Sequence, residues 1–136
     1  MVRDTILILE EDDDSRAKLT EIFQGKYKVL AFSNEKDGIE ILRTQAASLA
    51  VVLVNLMIPA RDDFQVLRRL SEKMFLSRIP FIMITSEQTT QYEKRGYEYG
   101  IVSYIKKPFH SGIIIEFVDS VVDVFADNMD LDLTVR

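Results

Sequence analysis

Cysteine is absent from the 136 residues, which excludes a disulfide framework and a thiolate zinc site. There is one histidine, His110, and no nucleophile stands paired with it for hydrolytic chemistry. The five glycines are scattered and nowhere form a phosphate-cradling loop. No apolar run reaches the length needed to span a bilayer, about 18 residues. The opening Met-Val-Arg-Asp puts an acid where a secretory leader is basic and then apolar, so the expected compartment is cytoplasmic, with no membrane partner. Basic residues cluster no further than Arg68-Arg69 and Lys106-Lys107, and the net charge is −5. That balance argues against direct nucleic-acid binding.

What is present is an ordinary globular composition, 47% hydrophobic and 29% charged, in a length that suits one domain. The most informative stretch is 50–59. Residues 50–54, Ala-Val-Val-Leu-Val, form an unbroken apolar and mostly β-branched run. A strand without alternation is covered on both faces, and so belongs in the middle of a parallel sheet. Asn55 is the first polar side chain after it, and Pro59 prevents continuation. Ligands and chemistry in open α/β sheets gather at the carboxyl ends of strands, which is where Asn55 falls.

Residues 5–9 give a second buried strand, running into Glu10, Glu11, Asp12, Asp13 and Asp14. The last three acids suit the N-terminus of a helix, with Ala17, Leu19, Ile22 and Phe23 as its apolar face and Gly25 as its stop. Glu10 and Glu11 instead sit at a strand's end. A short strand at 27–32 leads through Ser33-Asn34, a helix-capping pair, to an apolar stripe of Ile39, Leu42 and Ala46. Phe64, Leu67, Leu70 and Met74 mark a third helix, and 81–84 a fourth strand ending in Thr85-Ser86. The segment 88–99 has capping-box spacing at Thr90 and Glu93 but a thin apolar stripe, as in a helix docked loosely or facing a partner. Residues 101–105 read as a fifth strand, and 113–125 as a last helix with Phe117, Val118, Val121, Val122 and Phe125 on its apolar face. His110 reads as a helix-start residue. The predicted fold is α/β, a doubly wound five-stranded parallel sheet built as (βα)5 with right-handed crossovers. Residues 1–126 form the expected domain and 127–136 an acidic tail or linker.

The strand ends bring together Glu10, Glu11, Asn55, Thr85 and Lys107. Carboxylates, an acceptor oxygen, a hydroxyl and an ammonium are the groups that hold a divalent cation and a phosphoryl group. From 4 to about 125 the chain resembles the receiver domains of two-component response regulators. The resemblance rests on 6–9 followed by acids, Arg16, Val54-Asn55 four residues before Pro59, Ile82-Met83-Ile84-Thr85-Ser86, and Ser103-Tyr104-Ile105-Lys106-Lys107-Pro108-Phe109. It implies a flavodoxin-like strand order of 2-1-3-4-5. By position it implies Glu10 and Glu11 as the metal-binding acids, Asn55 at the phosphoacceptor aspartate, Thr85 and Tyr104 as switch residues, and Lys107 as the motif lysine. Asp63 falls where that family usually has glycine, which narrows the backbone choices of its loop.

An amide oxygen is a poor nucleophile, whereas phosphoryl transfer needs a carboxylate. With Asn55, the two glutamates and Lys107 leave a formal site charge of about −1 rather than about −2, so Mg²⁺ is expected to bind weakly or not at all. The sequence therefore predicts an atypical, phosphorylation-independent receiver, a pseudo-receiver that is no enzyme, needs no cofactor and acts through protein contacts. Its expected contact face comprises Tyr92, Tyr97, Tyr99 and Lys106, on the fourth helix, fifth strand and last helix, with a homodimer as one use of it. Ordinary packing is the competing account of those tyrosines. The alternatives are a receiver phosphorylated at Asp62, Asp63 or Ser86, and a small phosphate- or nucleotide-binding enzyme on the same fold.

Overall fold

In the computed structural model, residues 3–55, 68–73, 78–85, 94 and 96–135 are described, with side chains as far as 126. β1 (Thr5–Glu10) is followed by α1 (Asp13–Phe23), β2 (Lys28–Phe32) and α2 (Glu35–Gln45). A 3-10 turn (Ala46–Ser48), β3 (Leu49–Asn55), β4 (Phe81–Thr85), β5 (Ser103–Lys106) and α3 (Ser111–Val135) complete the order of named elements. Helical backbone also occurs at 68–73 and 96–98. The strands form one sheet in the order β2-β1-β3-β4-β5, every neighbouring pair parallel. This is the doubly wound arrangement that the sequence pattern predicts.

Side chains alternate between the two faces, and both faces are covered. Leu7, Leu9, Val52, Val54, Phe81 and Met83 join Ile41 and Leu42 of α2, with Leu70, in one core. Ile6, Ile8, Val51, Leu53, Ile82 and Ile84 join Leu19 and Phe23 of α1 and Ile114 and Val118 of α3 in the other. That two-sided burial is why β1 and β3 carry no polar alternation. The pairing also fixes the site, because the register sets Glu10 directly beside Asn55.

Local chemistry explains the helix starts. Asp12 caps α1 by accepting from the Ser15 N–H at 2.8 Å, and Asn34 caps α2 by accepting from the Asp37 N–H at 2.9 Å. His110 Nδ1 accepts from the Gly112 N–H at 3.2 Å, in keeping with its reading as a helix-start residue. Across the molecule, Lys26 and Tyr27 both bond Asp119, which ties α3 to the turn before β2. Burial first, and the Asp119 carboxylate second, push the Tyr27 phenol well above its usual range.

Four details differ from the sequence pattern. Ala17 is exposed, the face of α1 being carried by Leu19 and Phe23. That helix closes on Gln24 in right-handed conformation, so Gly25 is not its left-handed stop. β5 starts at Ser103, because Ile101 is buried in the closure of the preceding turn. α3 runs to Val135 instead of stopping near Phe125, so the tail expected as a linker or frayed end is helical backbone. Nothing in Asp-Asn-Met-Asp-Leu-Asp-Leu-Thr-Val breaks a helix, since it holds neither glycine nor proline. Phe64, Leu67, Met74, Thr90 and Glu93 lie outside the described residues. Among the described residues, no helix is long and apolar enough to cross a membrane.

Candidate functional site

The carboxyl ends of β1, β3, β4 and β5 converge as expected, and Glu10 is at the centre. Its side chain is 1% exposed, deep for a carboxylate. Lys107 donates to Glu10 Oε1 at 2.6 Å, and Asn55 Nδ2 lies 3.0 Å from both Oε1 and Oε2. The Asp12 N–H reaches Oε2 at 3.3 Å. The carboxylate is thus surrounded by an ammonium, an amide NH₂ and a backbone N–H. Such a charge-assisted set offsets much of the desolvation that burying it costs.

Lys107 has a second partner, Ser15 Oγ at 3.1 Å, and its own N–H donates to the Thr85 carbonyl at 3.0 Å. The loop after β5 is therefore stitched to the end of β4 through backbone and to the start of α1 through side chain. Arg16 completes the corner, donating to the Glu10 carbonyl at 3.0 Å and to Asp13 Oδ1 at 2.6 Å. Asp12 is held below its ordinary carboxyl value, chiefly by the backbone N–H of Ser15, then by the Ser15 hydroxyl, with Lys107 and Arg16 adding to it.

Of the residues singled out by sequence, Asn55 and Lys107 are each bonded to Glu10. Thr85 stands half-buried at the end of β4, paired in register with Lys106. Glu11 is half-buried, and its N–H donates to the Asn55 carbonyl at 3.2 Å. Tyr104, half-buried on β5, meets the Tyr97 ring edge-on with centroids 5.3 Å apart. Tyr97 is 54% exposed, Tyr99 half-buried and Lys106 exposed. Tyr92, Asp62, Asp63 and Ser86 lie outside the described residues.

Ser15 and the Asp12 N–H were missed as members of this cluster. Asp12 reads from sequence only as helix-start chemistry and Ser15 carries no signal of its own, although a first-turn residue of α1 lies at the same end of the sheet as Glu10.

Chemically, the corner is arranged around an anion of the chain itself. A divalent cation would need carboxylate oxygens that Lys107 and Asn55 now occupy, and Asn55 would have to turn its amide so that Oδ1 faced the ion. Among the described residues, no group of three or more acids or histidines is placed to hold a metal ion.

Comparison with known proteins adds the lineage. PilH of Pseudomonas aeruginosa is 26% identical over 118 residues, covering 86% of this chain and 96% of that protein. A probable cyclic di-GMP phosphodiesterase of Vibrio cholerae is 28% identical over 104 residues, 76% of this chain but only 23% of that much longer protein. Among solved structures, a CheY-like receiver domain protein of Methanospirillum hungatei superimposes with a TM-score of 0.80 at 17% identity, covering 92% of this chain and 98% of that one. The BeF3-activated DrrB receiver domain does so with a TM-score of 0.73 at 21% identity, covering 88% and 97%. Residues 6–119 match the response regulator receiver domain family, and it is to this family that the chain belongs.

Proposed function

We propose that this chain is a receiver domain that signals by protein contact independently of phosphorylation, Asn55 standing at the position of the usual acceptor. The observation that carries the reading is the amide of Asn55 donating to both oxygens of buried Glu10 while Lys107 closes on the same carboxylate. An amide lacks the nucleophilic oxygen of an aspartate, and the lysine that would neutralise an incoming phosphoryl group is engaged elsewhere. Mg²⁺ binding is weak or absent in this reading, because Glu10 already has its counter-charge. The domain is then neither an enzyme nor a DNA-binding unit. Receiver domains work within signalling systems, and the partner here is a protein met in the cytoplasm through the face that carries Tyr97, Tyr99 and Lys106, a second copy being one such protein. Residues 1–126 suffice for this role.

The test is intact mass and Phos-tag electrophoresis after incubation with acetyl phosphate and Mg²⁺. The expected result is unmodified protein. An adduct of one phosphate, mapped to Asp62, Asp63 or Ser86, would establish a different acceptor and end the proposal.

A further inference from the structure

Gly96 is buried in the helical turn 96–98, just ahead of Gly100, whose φ is +97°. The Gly96 carbonyl accepts the N–H of Tyr99 at 3.0 Å and that of Ile101 at 3.1 Å, while the Gly100 N–H bonds the Tyr97 carbonyl at 3.1 Å. These are the paired bonds by which a helix closes on a left-handed residue. The backbone at 96 is consequently held by its own stop signal and has little room to retreat.

A Cβ placed on Gly96 would lie 1.8 Å from Tyr104 Oη, 2.9 Å from Tyr104 Cζ and 2.7 Å from Ile101 Cδ1. Tyr104, with the tip of Ile101 beside it, therefore fills the volume that any side chain at 96 would claim. Its ring is held on another side by the edge-on contact with Tyr97.

We propose that Gly96 is a positioning residue whose missing methyl seats the Tyr104 ring against the 96–98 turn, fixing one form of the face this domain offers to a protein partner. The role given to that face rests on the function proposed above; the seat itself does not. Between a pinned carbonyl and the far end of a side chain, the side chain is the part that yields. Alanine at 96 displaces the Tyr104 ring towards solvent and breaks its contact with Tyr97.

The test uses the full chain labelled with 3-fluorotyrosine, the Tyr104 fluorine signal being assigned by its loss in Y104F. Wild type should give a single Tyr104 resonance, broadened less by a soluble nitroxide than the resonance of exposed Tyr97. In G96A the Tyr104 resonance should shift and broaden as much as that of Tyr97. G96A should also lower Tm by a few degrees in the wild-type background and by clearly less in Y104A, where only the Ile101 Cδ1 contact still opposes the greater helix propensity of alanine. An unshifted Tyr104 resonance in folded G96A, or equal Tm losses in both backgrounds, overturns the proposal. If G96A alone fails to fold, recovery in G96A/Y104A supports the seat, and continued failure overturns it. Adding Mg²⁺ and beryllofluoride to wild type separates the two ideas. A shift of Tyr104 under those conditions defeats phosphorylation independence and leaves the glycine seat standing.

Discussion

Asn55 and Glu10 behave as a matched pair. Restoring an aspartate at 55 would set a second carboxylate about where an amide NH₂ now lies 3.0 Å from Glu10. Asn55→Asp is expected to lose about 1–3 kcal/mol in EDTA, the cost of an unpaired buried polar group. Added MgCl₂ should return part of it, and little phosphorylation should appear; urea unfolding with and without the ion, followed by Phos-tag electrophoresis, checks this. Lys107→Met leaves Glu10 buried without a counter-charge and should cost about 3–5 kcal/mol. Glu10→Leu combined with Lys107→Met should recover most of that in the same unfolding experiment, since no charge then remains stranded. Asp12 supplies an acid-dependent increment. Its pKa is lowered on folding from an ordinary value of 3.8, so its contribution is fully present above that pH and is lost as pH falls through the lower folded value. Stability-against-pH curves for wild type and Asp12→Ala should therefore converge in acid and separate above pH ~4.

At the scale of elements, Gly100 is the position where conformation demands a particular residue. At φ +97°, alanine should cost about 1–2 kcal/mol, and asparagine less, as measured by thermal unfolding. The same closure accounts for the boundary that the sequence pattern misplaces. Ile101 is apolar and precedes a strand, so periodicity assigns it to β5, but its N–H is bonded to Gly96 and its burial belongs to the helix stop. β1, β3 and β4 were legible because short, unbroken apolar runs fit strands covered on both faces. α2 was legible from Asn34 and its stripe, although Ile41, absent from the expected stripe, is buried beside Leu42. The site was half legible. Parallel strands must deliver Glu10, Asn55, Thr85 and Lys107 to one end, whereas the choice of Glu10 as the lysine's partner depends on side-chain reach that no spacing encodes.

For the whole molecule, a net charge of −5 with no basic run in the sequence longer than two residues is expected to give little counterion release on a duplex. Fluorescence anisotropy of a labelled DNA duplex titrated with the protein at physiological salt should stay flat. A rise would place an unrecognised cationic surface on the fold. The Glu10–Lys107 ion pair has a consequence for how such a protein is used. In the function proposed above, a domain whose lysine is committed to its own buried carboxylate keeps no record of an upstream kinase and has no dephosphorylation clock to run down. With that reading, the strength of its signal is set by how many copies the cell holds, so control passes to synthesis and proteolysis.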